Sequence, residues 1–478
     1  MSIRTAAFPM GVLVLLIVGA GCHHIAPRPL APEASAAALQ SRTLDDSGLR
    51  AFLASVPEGA PDEWPLRHWD LDRLTLAALY FHPTLDVARA HAAAVQAGKE
   101  TAAMRPNPTL GISPQLSANP MGAVSPWLTM VSVDWQIETA GKRADRMARA
   151  DADAAAAREA ALTAAWNVRH ELAASVIALA AVDRQDALLR TELATEERLV
   201  ALLEGRLHEG AASAADVAPA RLGLLQVAND LADMRARRAE AMARVAAAIA
   251  VPTAALDDVA LPSSLDPAEE EALVGLEQSA ARRRAMLERA DVRQGLAEYA
   301  ASEAALRLEL ARQYPDVRLG PTYEFDQGQN KWGVSLTVDV PLLNRNDGPI
   351  AEAAATRDEV AARFLATQAG ALAEVEQVLA RRDGALVRRE TVRRMARDRA
   401  RNLQRTRDAL ALGALDRVAE LAAEVEHLRA ERAAVDGDSA VALACVDLEA
   451  TLQGSLRGAA LDRPRGVDVA RGASEGTR

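Results

Sequence analysis

The chain has few cysteines and few aromatic residues, and each shortage excludes something. Two cysteines in 478 residues, Cys22 and Cys445, do not make a disulfide-stapled fold. Aromatics are 3% of the chain while apolar residues are 50%, and alanine runs such as Ala154-Ala155-Ala156-Ala157 supply much of that total. Such a composition favours long, closely packed helices over an aromatic-rich globular core. Net positive charge is also missing: the formal charge is -11, which leaves no field to hold nucleic acid. Clusters such as Arg282-Arg283-Arg284 stand among acidic residues and read as solvated helix faces. No Gly-rich phosphate loop, cysteine pair at zinc spacing or His-Glu-x-x-His stretch occurs, and no Ser or Cys nucleophile has a motif around it. The histidines are dispersed, and the adjacent His23 and His24 do not make a metal site by themselves. The expectation is a protein that is not an enzyme, with no catalytic residue, no cofactor and no resident metal.

What is present begins with an export signal. Arg4 precedes an apolar stretch from Gly11 to Val18 that ends in Gly19-Ala20-Gly21-Cys22. That run is too short for a membrane-spanning helix. A cysteine directly after small residues resembles a bacterial lipoprotein signal, in which Cys22 becomes the lipidated first residue. Gly19 departs from the pattern, so cleavage nearby without lipid is the competing reading; either way the chain leaves the cytoplasm. Residues 1–21 are therefore assigned to the signal, and 22–69, rich in Pro and Ala, to an extended, irregular leader. Cys445 lies in the apolar run after Ala440 and is expected to be a small core residue.

From residue 70 the chain repeats itself. Arg105-Pro106-Asn107-Pro108 closes one helix and opens an extended segment; Arg312-Gln313-Tyr314-Pro315 does the same 207 residues later. The first repeat is placed at 70–262 and the second at 263–457, each with a helix, a β-hairpin and a long helical hairpin. The β-hairpins fall at 108–137 and 316–341, the helical tips near 210 and 413, and residues 458–478 read as a disordered tail. The strand most plainly written is Trp332 to Val340, where Val334, Leu336, Val338 and Val340 alternate with Ser335, Thr337 and Asp339. Val131, Val133, Trp135 and Ile137 alternate likewise. Strands of about ten residues match what a tilted strand needs to cross a bilayer, and Trp127, Trp135, Tyr323, Phe325 and Trp332 gather there. A soluble four-stranded sheet capping a helical bundle fits the same pattern. Four strands cannot close a transmembrane barrel, so the membrane reading requires several protomers. Lys142 to Arg206 holds no proline and can run as one helix of roughly 95 Å.

Gln136-Ile137-Glu138-Thr139-Ala140-Gly141-Lys142-Arg143 resembles the first strand-to-helix junction of the CzcC-like, heavy-metal-efflux branch of TolC-type outer-membrane efflux proteins. Val340-Pro341-Leu342-Leu343-Asn344-Arg345-Asn346-Asp347-Gly348-Pro349-Ile350 resembles the second junction, and Leu207-His208-Glu209-Gly210 through Asp216-Val217 resembles a helical tip. The resemblance covers about Leu71 to Leu456. It implies a homotrimer in which four strands per protomer close a twelve-stranded β-barrel in the outer membrane, continuous with an α-helical barrel across the periplasm. It also implies a periplasmic adaptor and an inner-membrane RND-type pump as partners, outer-membrane lipid around the barrel, and zinc, cobalt, cadmium or copper as cargo. A duct for organic compounds or secreted polypeptides, and a periplasmic coiled-coil scaffold, are the alternatives.

Two groups of residues are candidates for the duct's work. Asp134 and Asp339 occupy equivalent strand positions and, in a trimer, would give a ring of six carboxylates favouring cations; solvated or Arg-paired strand residues are the competing reading. Gly210, Ser213, Asp216, Gly413 and Asp416 are the candidates for adaptor contact, against a role in the turn alone. Ser213 and Asp416 are expected to cap the helices that follow. The spacing from Gly413 to Asp416 is shorter than that from Gly210 to Asp216, which implies a shorter second tip.

Overall fold

The computed structural model describes residues 25–56, 63–118, 122, 124–262, 275–326 and 328–454. The signal at 1–21, Cys22, His23, His24 and the tail at 458–478 lie outside them. Residues 1–42 form a unit of their own, whose described helix is α1 (Pro32–Gln40). The elements from Thr43 onward belong to the second unit.

The leader is not irregular throughout. Besides α1 it holds α2 (Ser47–Ser55), capped by Asp46, whose carboxylate accepts from the Leu49 amide at 2.8 Å. Pro32 stands in the first turn of α1, where its missing N–H costs nothing, so proline content overstated the disorder. Leu49, Phe52 and Leu53 of α2 enter the largest apolar cluster, with α3 (Leu71–Phe81). Next come α4 (Pro83–Ala103), capped by His82, then β1 (Thr109–Leu116) and β2 (Trp127–Ile137). The first long helical hairpin is α5 (Lys142–His208) and α6 (Ala214–Ile249). In the second repeat stand α7 (Gln278–Leu287), α8 (Ala290–Ala311), β3 (Val317–Asp326), β4 (Gln329–Val338), α9 (Asp347–Ala411) and α10 (Arg417–Leu452).

With 67 residues α5 is about 100 Å long. No single neighbour covers it. Its first half takes α4 and α8, joined through Lys99 to Asp151 and Arg293 to Glu159; its second half takes α6, through Arg238 to Asp183 and Arg221 to Glu204. The same helix packs on α10, so α5 is the seam between the repeats. The principal cluster lies midway, where Leu172, Val176 and Leu179 of α5 meet Val245 and Ile249 of α6 and the leader. Its counterpart joins α7, α9 and α10 around Val375, Leu379, Leu448 and the buried Cys445. Arginines of α9 are laced to acids of α10, among them Arg381 to Asp447, Arg393 to Asp438 and Arg407 to Glu420.

The sheet is antiparallel in the order β1-β2-β3-β4. Pairing sets Ile112 beside Val131, Val131 beside Tyr323, and Tyr323 beside Trp332, so one face is apolar across all four strands. Gly111, Ser132, Thr322 and Gly333 cross the other face in the same way. The expected strand to Val340 stops at Val338: residues 339 and 340 have no strand beside them among the described residues. The hairpins share one register, because Leu110↔Val133 recurs as Val317↔Val338, 207 and 205 residues further on.

Candidate functional site: sheet, junction and tips

The sheet's apolar face is turned outward. Trp135 is 61% exposed and Trp332 80%, with Leu110, Val334 and Leu336 of the same sheet also exposed. Among the described residues no helix is long and apolar enough to cross a membrane. Asp134 lies on the polar face, half-buried, and accepts from the Ser335 hydroxyl at 3.4 Å. Beside it Gly320 approaches so closely that a Cβ would meet the Val133 carbonyl oxygen at 1.5 Å, so only glycine fits there. Asp339 lies one residue past β4 and is exposed, so only one of the two carboxylates is a strand residue in this chain. The structure does not pair them.

Below the sheet, the first junction is tied to the second repeat. Ala140 and Gly141 both take positive φ, which reverses the chain from strand into α5 and brings Lys142 under the start of β3. The Lys142 ammonium reaches Asp316 Oδ1 at 2.6 Å and the Tyr314 carbonyl at 2.7 Å. Asp316 also accepts from the Thr139 amide at 3.1 Å and from Gln136 at 3.0 Å, while the Thr139 hydroxyl donates to the Pro315 carbonyl at 2.7 Å. Burial by itself would raise the Asp316 pKa, but Lys142, the Thr139 amide and Gln136 hold it below the ordinary value. Arg146 pairs with Glu138 one turn on. The role of Lys142 and Asp316 is not legible in the junction motif, because 174 positions separate the two residues.

The tips have one geometry. Gly210 and Gly413 both take φ +73°, and each tip closes the same way: Ala211 donates to the Arg206 carbonyl and Ala414 to the Ala409 carbonyl, both at 2.8 Å. Both connections run five residues, 209–213 and 412–416, so the expected shorter second tip is an error of alignment. The counterpart of Asp416 is Ser213, not Asp216: both are N-caps, three residues after the glycine. Asp216 accepts from the Ser213 amide at 2.8 Å and hydroxyl at 2.7 Å, and those bonds lower its pKa. Asp416 accepts from the Ala419 amide at 2.9 Å and from Arg206 of the other tip at 2.6 Å, and these, the amide first, hold its carboxyl low. The capping expected of Ser213 and Asp416 is thus present, and Arg206 with Asp416 joins the two tips.

Above the tips lies a buried charge ladder that sequence analysis missed. Glu192, 1% exposed, meets Arg429 at 2.9 Å and Arg432 at 3.0 Å, and Glu196 meets Arg429 at 3.1 Å. Burial, aided by Glu192 and Glu426, pushes the Glu196 carboxyl up against the pull of Arg429. The signal was available: Leu189, Glu192, Glu196, Leu199 and Leu203 follow three-four heptad spacing, so both glutamates stand at core positions. Among the described residues no group of His, Cys, Asp or Glu could hold a metal ion.

This fold is similar to that of solved outer-membrane channel proteins. It is similar to VceC from Vibrio cholerae (20% identity, TM-score 0.65, 81% of this chain and 96% of that one). The outer-membrane channel OprN matches at 18% identity and TM-score 0.64, over 92% of this chain and 99% of that one. The open state of the MtrE outer-membrane channel from Neisseria gonorrhoeae matches at 16%, TM-score 0.62, over 81% and 89%. Residues 76–251, which run from α3 to the end of α6, match the sequence profile of the outer membrane efflux protein family. No curated protein matches the sequence.

Proposed function

We propose that this chain is the outer-membrane exit duct of a tripartite efflux system, a passive channel whose cargo is heavy-metal cations. The observation that carries the duct is the sheet: an apolar face turned outward, a polar face turned away from it, and two unpaired edges, mounted on helices about 100 Å long. Open edges in a bilayer need partners, and three copies supply a closed barrel. The metal assignment rests on the two junction motifs. Six carboxylates, from Asp134 and Asp339 of three protomers, would attract cations on the polar face. The tips around Gly210 and Gly413 are the surface for a periplasmic adaptor, which links the duct to a proton-driven inner-membrane pump, and Cys22 carries the lipid anchor.

The test is metal tolerance and cell metal content in a strain lacking this protein, with zinc, cobalt, cadmium, copper and organic toxicants in parallel. Sensitivity and retention confined to metals support the reading and name the ion. Sensitivity to organic toxicants alone keeps the duct and removes the metal cargo.

A further inference from the structure

Toward the tips α9 is held differently from the other three long helices. Leu189 of α5 packs with Val227, Leu231 and Met234 of α6, while Leu199 and Leu203 of α5 pack with Val217 of α6 and Leu421 of α10. These three helices thus share one apolar core. The buried Glu192 and Glu196 tie α5 to α10 a second time, through Arg429 and Arg432. Past Leu386 the apolar cluster that α9 enters, among the described residues, is Ala396 with Ala430 and Ala434 of α10, and Leu403 is its one large buried side chain there. Alanine against alanine removes little apolar surface from water.

The rest of the attachment is ionic, and every acid in it is shared. Asp438 of α10 takes Arg393 of α9 at 2.7 Å, Glu426 takes Arg399 at 3.7 Å, and Glu424 and Glu420 take Arg407 at 3.7 and 3.2 Å. Each of these acids has a second cation on its other oxygen, and none of the second cations belongs to α9. Arg184 of α5 stands 3.9 Å from Asp438 and Arg198 of α5 3.4 Å from Glu424; Arg429 of α10 stands 3.3 Å from Glu426, and Arg417 of α10 pairs with Glu420. The other α9 arginines have acids that travel with them: Arg394 and Arg397 share Glu390, and Arg401 has Asp398.

We infer that the tip-ward part of α9, residues 388–411, is a detachable helix: it separates from α10 when ionic competition takes its arginines, while α5, α6 and α10 stay together as one body. Lifting α9 leaves Asp438, Glu420, Glu424 and Glu426 each with a cation. Lifting α10 from α5 instead parts the buried Glu192 and Glu196 from the arginines that hold them, the costly kind of break. Arg393, Arg399 and Arg407 are between 43% and 47% exposed, so their pairs are weak and screened by salt. This goes beyond the duct reading, which fixes neither the helix that moves nor what releases it, and it does not depend on the cargo.

Hydrogen exchange of the full chain in detergent, read peptide by peptide, tests this, with the native mass recorded in the same buffers. Raising sodium chloride from about 0.05 M to about 0.5 M shortens the screening length roughly threefold. Exchange in 388–411 is expected to rise about tenfold, while 418–446 of α10 and 189–208 of α5 change less than about twofold. Arg393→Gln with Arg399→Gln and Arg407→Gln is expected to give the fast rate already at low salt, with little further response. Equal acceleration of α9 and α10 would mean that the hairpin moves as one piece, and unchanged exchange in 388–411 that the alanine contact suffices; either overturns the inference. Acceleration confined to buffers in which the native mass falls assigns the effect to contacts between copies and overturns it as well, leaving the duct reading in place.

Discussion

The sheet and the helical hairpins use apolar residues in opposite directions. In the hairpins, Leu189, Val227, Val375 and Leu448 are buried and arginines and acids face outward; in the sheet, Trp135, Trp332 and Leu336 face outward. On the duct reading proposed above, two solvents explain one chain. Helices standing in water put their apolar stripe inward, and strands standing in lipid put it outward, with parity two deciding which residues go where. The ladder of Glu192 and Glu196 with Arg429 and Arg432 has no equivalent on the outward sheet face, where a buried charge would have no partner.

The largest expected effect lies on that outward face. Leu336→Arg should cost about 2–4 kcal/mol if the residue meets the bilayer midplane, while the adjacent Thr337→Arg should cost less than about 1 kcal/mol. The check is the unfolding midpoint of protein refolded into lipid. Equal costs would mean that the sheet faces water on both sides.

Next is the junction latch. Lys142→Met leaves Asp316 partly buried without its cation and should cost about 1–3 kcal/mol, read from the denaturant midpoint. The Asp316 pKa is lowered in the folded chain, so its contribution is fully present above 3.8 and is lost as pH falls through the folded value. Asp316→Asn should therefore flatten the acid limb of the stability profile, and an unchanged limb would remove the latch. The smallest effect belongs to the tips: Asp416→Ala removes an N-cap and the link to Arg206, for about 0.5–1 kcal/mol by thermal melting of the helical part. A larger loss would mean that the tips are held together more firmly than one exposed ion pair allows.

Much of this was readable from the sequence. The strand Trp127–Ile137 ends where the expected hairpin over 108–137 ends, because alternation is a local property and both its neighbours lie in the same chain. The strand expected over Trp332 to Val340 runs instead from Gln329 to Val338, beginning three residues earlier and ending two earlier. The alternation does continue to Val340, but a strand also needs a partner. The leader was misread for a different reason: proline in a first helical turn is compatible with a helix, and the burial of Leu49, Phe52 and Leu53 that holds α2 comes from residues far along the chain. The tips were misaligned because Asp216 and Asp416 are alike in type; the N-cap geometry, which decides equivalence, is not written in residue type.

Local chemistry, then, was enough to give helix, strand, face and repeat, since periodicity and turn residues act over a few positions. The tertiary structure alone decided that Lys142 belongs to Asp316, that Glu192 and Glu196 belong to Arg429 and Arg432, and that Ser213 is the counterpart of Asp416. The ion pairs among these join residues from 174 to 240 positions apart, and their energy is the attraction left after the cost of taking both charges out of water, which no short stretch of sequence can specify.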